Sequence, residues 1–323
     1  MKYIFGPVNS RRLGRSLGVD LFTDKICNLN CIYCEVGPTA RLTCERRQYT
    51  PTEEIIAELE VFFADDNRKR DIDTVTVTAS GEPTLHAGLG EVLSFLRELV
   101  DTRIALLTNG TTFSDAAVRQ EAGMVDVVVP SLDSVLPPSF RKIDRPANCL
   151  NLERIIEGLV TFSREFTGQL WLEILFAEGI NDTDRDVEAL AEVMARMRVD
   201  RIQINTVARP PLESFARPLS AVRLGEIGRF FQSHFPDIPV DLLAKGAPTA
   251  DEDEKPQSGA SVSGRLVEIL EMLRRRPCTA ADINKTFHLG GPEKVEQSLA
   301  PLVRSGQLSL RQYGDRKYYL IQE

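Results

Sequence analysis

The chain has 323 residues, 42% of them hydrophobic, and a formal net charge of −8, which fits about two domains with ordinary hydrophobic cores. This acidic balance argues against a generally basic nucleic-acid binder, although it leaves room for a local basic site. The chain has no apolar run of about eighteen residues and no long apolar segment near Met1, so we expect no membrane span, no secretory signal and a cytoplasmic location.

The N-terminal segment is rich in arginine and glycine. Residues 6–18 contain three of each, directly before or within the first predicted strand at residues 18–22. Guanidinium groups bind phosphate and carboxylate well, so Arg11, Arg12 and Arg15 are candidates for substrate contacts. A solvated basic turn is the alternative interpretation, and the pattern does not decide between them.

Three cysteines follow the first predicted strand in a C-x3-C-x2-C spacing: Cys27, Cys31 and Cys34. Three soft thiolates within eight residues suit three corners of one [4Fe–4S] cluster. Because no fourth cysteine follows closely, one iron would remain open to an outside ligand. Such an open position indicates chemistry rather than a purely structural role.

The other cysteines leave alternatives open. A structural zinc site needs four ligands, usually in two pairs, and Cys44 is the nearby candidate for a fourth. Disulfides are expected even less, because six cysteines in a cytoplasmic chain normally stay reduced. Cys149 and Cys278 are isolated in the sequence, and we expect them to be ordinary buried thiols.

Strand-like and helix-like segments alternate before residue 245. The predicted strands are residues 18–22, 74–79, 104–108, 125–131, 170–176 and 201–207. The predicted helices are residues 51–67, 89–100, 114–122, 151–167, 183–197 and 220–234. This alternation is typical of an α/β fold with a parallel sheet covered by helices, either an open sheet or a partial barrel.

The cysteine spacing, with Tyr33 just before the last cysteine, resembles that of the radical S-adenosylmethionine (SAM) enzymes. The resemblance implies a partial (β/α)6 barrel with the cluster loop after the first strand. It implies two cofactors, a [4Fe–4S] cluster and SAM, with SAM chelating the open iron. In these enzymes, reductive cleavage of SAM yields a 5′-deoxyadenosyl radical that abstracts hydrogen from a substrate.

Gly81, Glu82 and Pro83 follow the second predicted strand. In the enzymes that this chain resembles, a segment of this kind binds the amino group of SAM. Glycine allows close approach of the backbone, and the carboxylate accepts hydrogen bonds from an amine. The alternative is a plain Gly-Pro loop.

Polar residues also follow the third and fourth predicted strands. Asn109 lies in a Thr-Asn-Gly segment, and Ser131 and Asp133 lie in a Ser-Leu-Asp segment. The resemblance implies that these residues contact SAM, with Ser131 and Asp133 near its ribose or methionyl carboxylate. Ordinary turns formed by Asn and Asp are the alternative.

The last two predicted strands carry the candidates for substrate binding. Glu173 interrupts an apolar strand, and it either faces the barrel interior or pairs on the surface. Gln203 and Asn205 share one face of the next strand at period two. Arg209 follows that strand and could hold an anion in bidentate fashion.

The Gly-Pro-x-x-Ser-Arg-Arg-Leu-Gly opening at residues 6–14 resembles a radical SAM subgroup related to the wyosine-forming tRNA enzymes, over roughly residues 3–245. Those enzymes carry a second cluster on cysteines upstream of the motif. This chain has no cysteine before Cys27, so the pyruvate condensation that uses two clusters is not implied.

We predict three parts: a radical SAM partial barrel at residues 1–244, a flexible acidic linker at 245–264, and a winged helix-turn-helix at 265–323. The linker is rich in Pro, Gly and Ser and has no apolar period. The last part has ten Lys and Arg against seven Asp and Glu, a net charge of +3. Its third predicted helix is neutral, so contact with nucleic acid, contact with a peptide and a structural role all remain open.

The expected function is therefore SAM cleavage followed by hydrogen abstraction from a substrate, with an RNA base as the first choice. Modification of a peptide or protein is the second. A non-catalytic iron–sulfur sensor with a DNA-binding winged helix is the alternative from another class. The expected partners are an electron donor such as flavodoxin or ferredoxin and an RNA or peptide substrate, with no membrane.

Overall fold

The computed structural model of the protein describes residues 1–10, 12–65, 72–78, 80–243 and 262–322. Its main feature is an eight-stranded sheet in the order β1-β2-β5-β6-β7-β8-β9-β10, in which all pairs after β1–β2 are parallel. The strands are β1 (Ile4–Ser10), β2 (Gly14–Asp20), β3 (Ile26–Cys27), β4 (Arg41–Leu42), β5 (Thr74–Thr78), β6 (Arg103–Thr108), β7 (Val127–Pro130), β8 (Gln169–Phe176), β9 (Arg201–Thr206), β10 (Val240–Leu242), β11 (Leu308–Tyr313) and β12 (Arg316–Ile321).

Ten helices accompany these strands in the described ranges. They are α1 (Thr52–Phe63), α2 (Leu89–Leu99), α3 (Ala116–Ala122), α4 (Pro137–Ile143), α5 (Leu152–Glu165), α6 (Asp184–Met194), α7 (Ala221–His234), α8 (Leu266–Arg275), α9 (Ala280–Phe287) and α10 (Pro292–Arg304). Two short 3-10 helices, Pro83–Leu85 and Ser263–Arg265, complete the set.

The six predicted strand–helix units are all present, and they form the α/β partial barrel that the sequence indicates. Strands β2, β5, β6, β7, β8 and β9 run parallel in chain order, so their carboxyl ends lie at one edge of the sheet. The prediction missed β1, the short strands β3 and β4, β10 and α4. Glycine, proline and asparagine dilute the strand pattern in β1, while β10 and α4 are only three and seven residues long.

Alternation along the strands separates the two faces of the sheet. In β6, Ile104 and Leu106 pack with the surrounding helices, whereas Ala105 belongs to a separate apolar cluster on the opposite face. Leu13, in the turn between β1 and β2, packs in that second cluster beside Trp171. The N-terminal hairpin therefore covers part of the concave face of the barrel.

Residues 262–322 form three helices followed by the antiparallel β11–β12 hairpin, with an apolar core of their own that also includes Val8. The side chain of Asn9 donates to the carbonyl of Lys285 at 2.8 Å. On the other side, the hydroxyl of Tyr318 donates to the carbonyl of Ala208 at 3.1 Å. This C-terminal segment thus packs against both the first strand and the loop after β9.

The predicted linker at 245–264 lies mostly outside the described residues, and only its last three residues are described. They belong to a turn and to the 3-10 helix Ser263–Arg265. Among the helices given above, none has the length and apolar character needed to cross a membrane.

One prediction about the cysteines is wrong. Cys44 and Cys149 form a disulfide across a sequence separation of 105 residues, so Cys44 is not a fourth metal ligand and Cys149 is not a free thiol. The two residues lie in loops that the fold brings together, which sequence spacing does not reveal. Cys278 is a buried free thiol, as expected.

Thiol counting tests this disulfide. Cluster-free protein, unfolded without reductant, should react with a thiol reagent at the four free cysteines. After reduction it should react at all six. The Cys149→Ser variant should expose one additional thiol without reductant, because Cys44 loses its partner. Six reactive thiols in the untreated protein would contradict the pairing.

Candidate active site

The cysteine loop is closed at its base by backbone pairing. Strands β3 and β4 pair in parallel, and the amide of Thr43 donates to the carbonyl of Cys27 at 3.0 Å. Cys27 thus ends β3, and Cys31 and Cys34 lie in the loop between the two short strands. This pairing holds the first cysteine at a fixed place on the sheet edge.

The opposite side of the loop rests on the end of α4. The amide of Asn30 donates to the carbonyl of Asp144 at 3.0 Å, and the amide of Ile32 donates to the carbonyl of Ile143 at 2.9 Å. Backbone bonds on both sides restrict the loop that carries Cys31, so its position follows from the barrel.

The segment after β5 contacts the start of the cysteine loop through the backbone. The amide of Glu82 donates to the carbonyl of Ile26 at 2.9 Å. A Cβ atom on Gly81 would lie 1.8 Å from that same carbonyl oxygen, so a side chain at this position does not fit. Pro83 occupies the first position of the following 3-10 helix, where the missing N–H of proline is tolerated.

The carboxylate of Glu82 joins the ends of two strands. It accepts bonds from the hydroxyls of Thr84 and Thr108, both at 2.6 Å, and from the amide of Asn109 at 2.6 Å. Burial raises the pKa of Glu82, and these donors partly offset that effect. Glu82 therefore fixes β5 and β6 to each other where both strands end.

Asn109 connects this corner to the cysteines. Its amide nitrogen donates to the side-chain oxygen of Asn28 at 2.7 Å and lies 3.7 Å from the sulfur of Cys27. Thr111 donates to the Asn109 side-chain oxygen at 2.7 Å and so sets the orientation of the amide. The Asn109 N–H group consequently points toward the sulfur.

A buried acidic pair lies beside Cys31. The hydroxyl of Tyr33 donates to Asp133, and the thiol of Cys31 lies 3.3 Å from an oxygen of Asp144. Burial raises the pKa of Asp133 to about 6, against the opposing bonds from Tyr33 and from the amide of Leu175. Burial and the nearby charge of Asp133 also raise the pKa of Asp144.

These residues surround one cavity of about 210 Å³ at the carboxyl edge of the sheet. Nine predicted site residues line it: Cys27, Cys31, Tyr33, Gly81, Glu82, Asn109, Ser131, Asp133 and Glu173. Four carboxyl groups line the cavity, and no Lys, Arg or His of the described ranges does so. This lining favours a ligand that carries positive charge.

The cysteine side chains have the chemistry needed to hold iron. Cys27 and Cys31 line the cavity, and Cys34 belongs to the same loop. Burial and neighbouring acidic groups raise the pKa values of the first two thiols, to about 12 for Cys27, so metal must displace their protons on binding. No three His, Cys, Asp or Glu side chains of the described chain converge on a single metal ion.

Four of the predicted substrate residues form one interior network. Arg12 donates to Glu173 and, at 3.2 Å, to the side-chain oxygen of Gln203. Asn205 donates to the other carboxylate oxygen of Glu173 at 3.1 Å. Glu173 therefore faces the barrel interior, where the turn of the N-terminal hairpin supplies its cationic partner.

Of these four residues only Glu173 lines the cavity, and Arg209, also predicted to bind substrate, does not line it. Arg209 donates to Glu35 of the cysteine loop at 2.9 Å, and that carboxylate raises the pKa of Arg209. Arg209 consequently links the loop after β9 to the cysteine loop and already has an anionic partner. Arg11 lies outside the described residues.

Sequence reasoning missed several polar residues of the site, including Lys25, Asn28, Thr108 and Asp144. Lys25 lies two residues before Cys27, Asn28 directly follows it, and Thr108 is the last residue of β6, so position alone could have indicated these three. Asp144 follows α4, a helix that the prediction lacked.

Fold and site together describe an α/β partial barrel with a cysteine-bearing loop beside an acidic cavity at the carboxyl edge. Residues 23–194, more than half of the chain, match the radical SAM superfamily, and the chain belongs to that superfamily. The family implies a [4Fe–4S] cluster and SAM. The residues fit both groups, since three cysteines share one loop and the acidic cavity beside them suits a sulfonium cation that carries an amino group.

Two curated relatives and one solved structure illustrate the similarity. A UPF0026 protein of Helicobacter pylori strain J99 is 30% identical over 98% of this chain and 96% of its own length. A GTPase Obg of Brachyspira hyodysenteriae is 29% identical over 95% of this chain, which spans 43% of that relative. The structure of TYW1 with a lysine-pyruvate adduct bound has a TM-score of 0.50 at 18% identity, over 68% of this chain and 73% of that chain, a likeness of fold alone.

Gly81→Ala tests the contact between β5 and the cysteine loop. The new Cβ would overlap backbone atoms of Ile26, so we expect a loss of about 3 kcal/mol or more in the free energy of unfolding and loss of most bound iron after anaerobic reconstitution. Gly225→Ala is the matched control, because its Cβ meets nothing nearer than 3.5 Å. Iron content like that of the unmodified protein in both variants would contradict the assignment.

Asp133→Asn tests the buried carboxyl group in cluster-free protein. A folded-state pKa raised from 3.8 to about 6 makes stability fall as pH rises through this window, by about 3 kcal/mol for a two-unit shift. The variant lacks this titration, so its free energy of unfolding should exceed that of the unmodified protein at pH 7.5 but not at pH 4. Urea unfolding at the two pH values measures the difference.

Asp126→Asn is the control with the opposite sign. Burial alone would raise the pKa of Asp126. The hydrogen bonds that its carboxylate accepts from Arg97 and from the amide of Ile104 outweigh burial, so the pKa is lowered. Because its pKa is lowered, the ionised Asp126 carboxylate stabilises the folded protein at neutral pH, and this stabilisation is lost in acid. Asp126→Asn should therefore be less stable than the unmodified protein at pH 7.5. Equal pH profiles for both variants would contradict the two assignments.

Proposed function

We propose that the protein reductively cleaves SAM at a [4Fe–4S] cluster and uses the resulting 5′-deoxyadenosyl radical to abstract hydrogen from a substrate, most simply an RNA base. The observation that carries the proposal is one acidic cavity lined by Cys27 and Cys31 together with Glu82, Asn109 and Asp133. A sensor has no need of such a cavity beside its cluster, so this observation favours an enzyme over the non-catalytic alternative.

The chain's own residues would bind and orient the cofactors. Cys27, Cys31 and Cys34 would hold three irons of the cluster, which supplies the single electron that breaks the carbon–sulfur bond of SAM. Glu82 would accept hydrogen bonds from the amino group of SAM, and Asp133, with Ser131, would face its ribose. Apolar side chains in the lining, among them Leu132, Phe140 and Ile155, would keep water from the reacting atoms.

The interior network of Arg12, Glu173, Gln203 and Asn205 would contact the substrate. Its amide and carboxylate groups offer both donors and acceptors, which suits the polar edge of a base. The opening at residues 6–14, similar to that of the wyosine-related subgroup, supports an RNA substrate. The lack of cysteines before Cys27 separates the proposed reaction from the two-cluster chemistry of that subgroup.

A low-potential donor such as flavodoxin or ferredoxin would supply the electron, and the reducing cytoplasm is the location that suits a cluster on three thiolates. The Cys44–Cys149 disulfide is the feature that opposes this location. The thiol count described above tests whether it forms.

SAM cleavage is tested under anaerobic conditions. Reconstituted protein with dithionite and SAM should yield 5′-deoxyadenosine, measured by mass spectrometry, and Cys31→Ala should lower the yield by at least about 100-fold because one cluster ligand is lost. Cys278→Ala is the matched control, since this buried free thiol lies in the C-terminal core and not in the cavity. Equal yields from Cys31→Ala and the unmodified protein would exclude cleavage at this cluster.

The substrate class needs a second assay. Small RNA from a strain that lacks the gene for this chain should raise the yield of 5′-deoxyadenosine and acquire a nucleoside of new mass. A tryptic peptide mixture from the same strain serves as the competing substrate. A new mass in the peptides alone would replace the RNA proposal by peptide modification. DNA binding without SAM cleavage would instead support the sensor.

A further inference from the structure

Lys25 is a buried cation beside the cysteine loop. Only 8% of its surface is exposed, although lysine is normally solvated. Its ammonium group donates to the sulfur of Cys34 at 2.9 Å and to the carbonyl of Gly37. Among the described residues, no carboxylate lies within ion-pair distance of Lys25, so a sulfur and a carbonyl are its observed partners.

The backbone directs this contact. The amide of Gly37 donates to the carbonyl of Cys34 at 3.3 Å, so the two residues form the ends of one tight turn. Gly37 has a φ of +96°, which favours glycine. The carbonyl of Lys25 also accepts a bond from the amide of Arg41 at 3.2 Å. Lys25 thus joins the Cys34 turn to the paired base of the loop.

The charge of Lys25 differs in sign from that of the cavity lining. When they are ionised, Glu82, Asp133 and Asp144 place negative charge near the cysteines, which opposes the addition of an electron to a cluster held there. A buried ammonium bonded to a ligand sulfur acts in the opposite direction, because it stabilises the reduced, more negative state. Weak solvent screening strengthens both effects in this buried place.

We propose that Lys25 is a positioning residue that orients the Cys34 thiolate and raises the reduction potential of the cluster. The inference rests on the proposed function, since it requires the cluster on Cys27, Cys31 and Cys34. Lys25 makes the one-electron reduction accessible to a milder donor than the acidic surroundings alone would allow.

The test is a potentiometric titration of the reconstituted full-length protein without SAM, with dithionite as reductant and the reduced cluster followed by electron paramagnetic resonance. Lys25→Met should shift the midpoint potential to more negative values, and Lys25→Arg should restore it toward that of the unmodified protein. Lys142→Met is the matched control, because this exposed lysine also donates to a glycine carbonyl, that of Gly179, at 3.2 Å. It should leave the midpoint unchanged.

Two results would overturn the proposal. The first is an unchanged midpoint potential in Lys25→Met. The second is failure of both Lys25→Met and Lys25→Arg to bind iron, because iron binding would then depend on the shape of the lysine side chain rather than on its charge. Loading restored by arginine alone would support it. The titration does not depend on SAM cleavage. If Lys25→Met shifts the midpoint potential but the unmodified protein forms no 5′-deoxyadenosine from SAM, the proposed function is wrong and the role of Lys25 stands.

Discussion

The contact between the end of β5 and the carbonyl of Ile26 is the constraint on which the site depends. Gly81 leaves room for this approach, and the amide of Glu82 makes the bond. The same residue then uses its carboxylate to hold the end of β6 through Thr108 and Asn109. The cysteine loop and two strand ends therefore share one anchor. A shift in any one of these elements is transmitted to the other two, because the bonds involved are buried or partly buried and the packed surroundings leave little room to relax.

The site has an electrostatic cost when it is empty. Burial raises the pKa values of Glu82, Asp133 and Asp144 together, so the folded protein disfavours the ionised form of each carboxyl group. A cationic ligand would offset this cost, because it would stabilise the ionised carboxylates and reduce the repulsion between them. The cavity is therefore less stable alone than with such a ligand, and binding and stability are linked through the same carboxylates.

Sequence patterns predicted the alternating units and nine of the residues that line the cavity because both depend on local rules. Parallel strands place their carboxyl ends together, so polar residues such as Glu82, Asn109 and Asp133 could be expected at one edge. The pairing of Arg209 with Glu35 could not be predicted, since it depends on how two loops distant in sequence fold back on each other. The Cys44–Cys149 disulfide could not be predicted for the same reason. The sequence also did not predict that the N-terminal hairpin covers the concave face. The contact is made by Leu13, and a single leucine in a polar turn shows no apolar periodicity.

Negative and positive groups around the cysteines come from different elements of the fold. Carboxylates at the strand ends line the cavity and select the charge of the ligand. Cations come from outside the parallel core: Arg12 from the hairpin neutralises Glu173, and Lys25 from the loop bonds to Cys34. Lys25 bonds to Cys34 and does not line the cavity, so a substitution there acts first on the electronic environment of the sulfurs. It also reaches the cavity indirectly, because Lys25 directly precedes Ile26, whose carbonyl anchors the segment after β5.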